Sequence, residues 1–274
     1  KRKNTAIGAN TGWLFGKTPN SSTTLFTDTS DIKLPTFQDN IRQDINANGF
    51  VWNLGAQHDF VLKRAEQDND IAVRWITLGL AGNGNYKLKL KEDQFQIRSR
   101  GQLSNGNFAD ADTLSSSVDQ EGNLELPSTF TFGIQYAKLN KLKIGAQFGV
   151  ENWANYVNDA RRSNMRNTFH VSGGVEYIPD FSSYNKFLKR WRYRVGGYFR
   201  QDPRTVSGKN FNDIGLTLGL GLPVVLPRQQ TSFVNIALEL GKIGVDSPIE
   251  ETYFRISAGF TLNDNTWFYK RRFE

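Results

Sequence analysis

The sequence predicts an all-β chain, a transmembrane antiparallel β-barrel with about ten strands in its 274 residues. Three observations carry that expectation. Segments of about ten residues, the length a tilted strand needs to cross a bilayer, alternate apolar and polar residues at period two. The composition sets 20 Phe, 9 Tyr and 6 Trp beside 25 Gly and a single Met, as suits a sheet with two dissimilar faces. The longest polar connections fall on one end of the segments, as they do in outer-membrane barrels.

The strands follow in order. Segments 6–15, 49–60 and 71–80 follow the alternation less cleanly than the later ones, and in the third Arg74 and Trp75 break phase, which suggests a bulge. Segment 130–136 puts Thr131, Gly133 and Gln135 on its polar side. Segment 141–151 sets Leu142, Ile144, Phe148 and Val150 against Lys143, Gly145, Gln147 and Glu151. In 168–177, Phe169, Val171, Val175 and Tyr177 oppose His170, Ser172, Gly174 and Glu176. Segment 191–200 places Trp191, Tyr193, Val195 and Phe199 on one face and Arg192, Arg194 and Arg200 on the other. Segments 213–222, 232–241 and 253–262 repeat the grammar with Leu216, Leu238 and Ile256 central to their apolar faces. Glycine recurs on the polar face, where it would make room for a plug or ligand. The Gly82–Gly84 stretch does not follow the phosphate-loop pattern and reads as a kink or turn.

If the last strand runs toward the periplasm, the connections sort by parity. The surface set is 243–252, 201–212, 158–167, 92–125 and 18–44, and both very long polar loops belong to it. The periplasmic set is 223–231, 180–190, 138–140 and 63–70. The expected location is the outer membrane of a Gram-negative bacterium, with the C-terminus periplasmic.

Composition narrows the chemistry. There is no Cys, so disulfides and thiolate metal sites are excluded. His58 and His170 form no ligand motif, and neither a metal nor a cofactor is expected. The formal net charge of +7 would suit nucleic acid or anionic lipid. The densest cluster, KFLKRWRYR (186–194), fits a strand whose cations share one face better than a base-stacking patch, and no nucleic-acid partner is expected. No signal peptide opens the chain. His170 and Glu176 lie six positions apart on one strand face, about 20 Å, too far to cooperate directly, and no enzymatic activity is expected.

The segments GANTGWLFGK, NGFVWNLGAQHDF, LPSTFTFGIQY, GVEYIPD, RYRVGGYF, GLTLGLGLPV and NIALELGKIG resemble successive strands of FadL-type outer-membrane transporters of the Bacteroidota branch. The ending ETYFRISAGFTLNDNTWFYKRRFE is the most specific of them. The resemblance implies the C-terminal two-thirds of a fourteen-stranded barrel, so residues 1–274 would form one barrel domain lacking the hatch and first strands; the alternative is a barrel of ten strands, because even counts close. The family's Asn-Pro-Ala signature is absent. The resemblance also implies passive uptake of a hydrophobic or amphipathic small molecule. The alternative is a non-conducting structural or docking subunit of a larger outer-membrane complex, in secretion or assembly machinery, with outer-membrane or periplasmic subunits as partners. On either reading the apolar face meets outer-membrane lipid.

The inward phase carries the candidate lining residues His170, Glu176, Arg192, Arg194, Arg200, Asp213, Glu239 and Arg255, with Lys143 and Glu151 beside them. They suit a cross-strand network that satisfies its own charges, or a lining that binds a ligand carboxylate. Trp267, Phe268 and Tyr269 are expected at the periplasmic membrane interface.

Overall fold

The computed structural model describes residues 4–26, 37–66, 70–102, 108–161, 163–206, 209–226, 230–245 and 247–261. These residues form one antiparallel sheet of thirteen strands: β1 (Thr5–Phe26), β2 (Phe37–Arg64), β3 (Ala72–Asn83), β4 (Tyr86–Gln102), β5 (Phe108–Leu126), β6 (Thr129–Lys138), β7 (Leu142–Glu151), β8 (Val157–Asn158), β9 (Thr168–Tyr177), β10 (Arg192–Val206), β11 (Lys209–Leu226), β12 (Gln230–Val245) and β13 (Glu251–Thr261).

The thirteen reduce to ten wall strands. Asn83 of β3 pairs with Thr129 of β6, and three residues further on Tyr86 of β4 pairs with Leu126 of β5, three residues back. The register therefore runs unbroken across Gly84–Asn85 and Pro127–Ser128, so β3–β4 and β5–β6 are two long strands, each interrupted once. On β2, residues 54–64 pair with β3 and residues 37–48 with β4. The break is where the sequence expected a kink. A Cβ on Gly84 would sit 3.2 Å from the Trp52 ring, and one on Gly82 would sit 2.7 Å from the Thr129 carbonyl oxygen. The wall order is then β1, β2, β3–β4, β5–β6, β7, β9, β10, β11, β12, β13, with every neighbour adjacent in the chain. Among the described residues β1 and β13 are its two edges and do not pair with each other, so the expected closure into a barrel is not formed there.

Residues paired across an antiparallel ladder share a face, so the register extends one apolar surface over all ten strands. Leu216, Leu218 and Leu220 stand opposite Gly197, Val195 and Tyr193 on one side and Leu240, Leu238 and Ile236 on the other. Ile256 and Phe254 continue it at the β13 edge. Phe132 and Phe148 cross its middle, and Ile7 and Ala9 meet Ala56 and Leu54 at the β1 edge. Its large side chains stand in the open, Leu216 at 66% and Ile7 at 83% exposure. A contiguous apolar surface on this scale needs a lipid or protein environment. Among the described residues no helix is long and apolar enough to cross a membrane, which says nothing of crossing by strands.

Two expectations are corrected. The surface loops 18–44 and 92–125 are largely strand: β1 and β2 run on to Phe26 and back from Phe37, and β4 and β5 form a paired hairpin above them. With 28 residues, β2 alone extends roughly 90 Å, about three times a bilayer's hydrocarbon thickness. These arms are held by ladder pairing between mostly polar strands. On one side β8 pairs with Leu124 and Glu125, and the Asn123 amide donates to Asp159 Oδ2 (2.7 Å). Leu88 and Leu90, sharing that face, are 2% exposed. The second correction concerns Trp75. It keeps to the polar-face phase, buried with Ala72 and Ala137 against Val61. The irregularity lies on its neighbour, where the β2 register shifts around Lys63.

Candidate functional site

The polar face lines an open trough of about 620 Å³, whose walls include Gln135, Lys143, Glu176, Arg194 and Tyr198. Alternation puts these side chains there: each is one residue out of phase with the apolar ladder. Three ionic clusters then form across neighbouring strands.

In the first, Arg194 Nε donates to Glu176 Oε2 (2.7 Å), its directly paired residue on β9, and Lys143 Nζ of β7 lies 3.3 Å from Glu176 Oε1. Arg194 then passes over β11 to donate from Nη1 to Asn235 Oδ1 on β12 (2.9 Å). In the second, Glu239 accepts from Tyr198 OH (2.7 Å), Tyr253 OH (2.8 Å) and Arg255 Nη1 (3.3 Å). The two tyrosine hydroxyls also touch each other. In the third, Arg200 Nη2 donates to Asp213 Oδ2 across the β10–β11 ladder, where Asp213 is buried. His170 Nδ1 lies 3.7 Å from Glu151 Oε1. Arg192 faces the same way, close enough to feel the Glu176 charge but without a contact ion pair among the described residues, and stacks 3.6 Å above the Phe233 ring.

Glycine makes these reaches possible. Tyr198 is paired with Gly215, Tyr253 with Gly241, His170 with Gly149, Arg194 with Gly219 and Arg192 with Gly221. In each pair the large side chain lies over the space a Cβ would fill. A Cβ on Gly215 would come 2.6 Å from Tyr198 Cζ, and one on Gly149 would come 2.2 Å from His170 Cε1. These five glycines make room for the sheet's own side chains, the arrangement by which a bulky residue shields a strand glycine, whereas Gly79 and Gly133 on the same face border the open trough, and a Cβ on Gly79 would meet nothing within 4 Å.

All eight lining residues expected from the sequence lie on this face, and the strand order places the arginine strand between those of Glu176 and Asp213. The structure joins Arg194 to Glu176, Arg200 to Asp213 and Arg255 to Glu239, while His170 goes to Glu151. The expected separation of His170 from Glu176 is matched by these separate partners. Sequence reasoning missed Tyr198 and Asn235. The signal was present for both: Tyr198 shares the phase of Arg194 and Arg200, and Asn235 that of Glu239. Trp267, Phe268 and Tyr269 lie outside the described residues.

No curated protein matches the chain. A family model, BamG, matches residues 2–274. That match overturns the resemblance to FadL-type transporters, which rested on short strand segments of a grammar that barrel walls of different families share. The fourteen-stranded count, the hatch and the uptake of a small molecule lose their basis with it. Matched over all but its first residue, the chain belongs to the BamG family, an outer-membrane assembly-related family.

Proposed function

We propose that the protein is a non-conducting structural or docking subunit of the outer-membrane assembly machinery, built as a ten-stranded transmembrane barrel. The family match over residues 2–274 carries this reading. Three features of the sheet support its details. The apolar face runs across every wall strand, in segments of the length a bilayer requires. Unpaired strand edges cannot face lipid, and an even count brings β1 and β13 together antiparallel, so the wall closes along that seam. The trough's carboxylates Glu176, Asp213 and Glu239 are matched by Lys143, Arg194, Arg200 and Arg255, and Arg192 is held against the Phe233 ring, which supports a lining that braces the wall.

In this reading the arms of β1, β2, β4 and β5 stand on the cell-surface side, and the C-terminal end of β13 faces the periplasm. The arms and the periplasmic connections offer docking surface to other outer-membrane or periplasmic subunits. The protein performs no catalytic step and uses no cofactor. Depletion tests the reading: outer-membrane barrels should accumulate in the unfolded, protease-sensitive form as the protein disappears. Normal barrel folding after full depletion would count against it.

A further inference from the structure

The connection between β9 and β10, residues 178–191, lies at the end of the wall opposite the tall arms. It reads IPDFSSYNKFLKRW, an unusual mixture for a surface turn. Tyr184 is 94% exposed, and Phe187 and Leu188 are also exposed. An apolar group left in water forfeits the gain of burial, so such a cluster marks an interaction surface.

The segment is well ordered. The Asp180 amide donates to the Lys189 carbonyl (2.8 Å), and Ser182 donates from both its amide and its hydroxyl to Asp180 Oδ1. Lys141 Nζ donates to the Pro179 carbonyl (2.6 Å). A 3-10 turn, Phe187–Arg190, is tied to the apolar side of the wall rather than to the trough. Tyr193 OH donates to the Leu188 carbonyl (3.0 Å), and Phe187 packs edge-on against Trp191, with ring centroids 5.7 Å apart. Tyr193 belongs to the apolar ladder through Leu220 and Tyr177. Phe187 and Leu188 therefore carry the apolar surface past the ends of the strands.

Cations accompany them at that level: Lys186, Lys189 and Arg190, the last with its guanidinium 5.4 Å from the Phe187 ring centroid. Against these three the segment has one carboxylate, Asp180, already accepting from Ser182. Aromatics at the edge of an apolar band, followed at once by Lys and Arg, are the pattern that seats a segment in a membrane–water interface.

We propose that residues 178–191 are an interfacial anchor that binds anionic phospholipid headgroups at the periplasmic rim of the wall. Phe187 and Leu188 enter the acyl boundary there, and Lys186, Lys189 and Arg190 meet the phosphates. This rests on the reading of the sheet as a membrane wall. The choice of lipid over a protein partner follows from continuity with the lipid-facing ladder and from the excess of cations.

The chain has no Cys, so one introduced thiol reports one place. An environment-sensitive dye is attached to the full-length Leu188→Cys variant and, separately, to a Leu218→Cys variant in the middle of the apolar face. Both are reconstituted in phosphatidylcholine vesicles with and without phosphatidylglycerol. The expected result is a blue-shifted Leu188-site dye, quenched by brominated lipid and shifted further by phosphatidylglycerol. Replacing Lys186, Lys189 and Arg190 by Gln should lower the preference for anionic lipid by about fivefold per cation. A Leu188-site dye quenched by aqueous iodide in both lipids, while the Leu218-site dye stays in lipid, overturns the anchor and leaves the segment to a protein partner. If the Leu218-site dye is also in water, the membrane wall itself is refuted and the anchor falls with it.

Discussion

Replacing Gly215 by Ala tests whether this glycine is required to accommodate the Tyr198 side chain. The added methyl would lie 2.6 Å from both Cζ and the hydroxyl oxygen of Tyr198, inside any real carbon contact. The ring cannot simply swing aside, because its hydroxyl is committed to Glu239 at 2.7 Å. Overpacking costs about 1–3 kcal/mol, and losing a hydrogen bond to a charged acceptor about 1.5–3 kcal/mol. The smaller conformational freedom of Ala in the unfolded chain returns about 0.4–1 kcal/mol. Since the ring needs only one of the two adjustments, the net expectation is a loss of about 1–2 kcal/mol. At Gly259, on the same face of β13, a Cβ would meet nothing within 4 Å. Gly259→Ala should be neutral or slightly stabilising. The assay is urea unfolding of the protein folded in lipid vesicles, followed by tryptophan emission. A cycle with Tyr198→Ala sharpens it, because the cost of Gly215→Ala should largely vanish once the ring is gone. Equal behaviour of Gly215→Ala and Gly259→Ala, or no coupling to Tyr198, would refute the reasoning.

Three further outcomes are expected. Leu218→Arg, on the apolar face, should lower stability in bilayers by about 2–4 kcal/mol, whereas Thr217→Arg, one residue away on the trough side, should be far milder; similar costs would argue against two different faces. Arg200→Ala strands the buried Asp213 carboxylate. Because Arg200 is 64% exposed at its side chain, the loss should fall below the roughly 3–5 kcal/mol of a fully buried broken pair, and Arg200→Ala/Asp213→Asn should recover part of it in the same urea assay. In the arms, Arg98 donates to both oxygens of Asp39, and its hydrogen bonds hold the Asp39 carboxyl below the usual carboxylate range. A carboxyl whose folded pKa is depressed contributes stability that is complete above its unfolded pKa and is lost as pH falls through the folded value. Protease cleavage in the arms should therefore rise below about pH 4, and Asp39→Asn should be cut somewhat faster at neutral pH and show a smaller rise on acidification, the remainder coming from Asp44, whose carboxyl is also held low by Arg42 and Lys17.

Much of the wall was legible because strands with one apolar and one polar face obey a strict period. The ten segments found by alternation are the ten wall strands, and the sorting of connections by parity agrees with the strand directions. The arms were not legible as strands because ladder hydrogen bonds hold them while both faces stay largely polar. In KLKLKEDQFQIR the Leu88 and Leu90 alternation was present, but Ser104–Asn123 offers hardly any apolar phase to read. The lining was legible as a set of inward charges, and strand order alone placed the arginine strand between those of Glu176 and Asp213. Which charge meets which required the register, since Arg194 also crosses β11 to reach Asn235 and Tyr198 reaches Glu239 two strands away. Which glycines are covered was illegible for the same reason: an empty position is visible in a sequence, but the side chain that fills it, as Tyr198 does over Gly215, belongs to the next strand. Family identity failed at a different level, because strand grammar reports a barrel wall and not its lineage.

The most direct test of the central claim is the native mass of the protein gently extracted from its own outer membrane, with every co-migrating chain identified. The account predicts a stoichiometric assembly that contains other subunits of the outer-membrane assembly machinery. A lone barrel of a single chain, recovered intact under conditions that preserve that machinery, would contradict it.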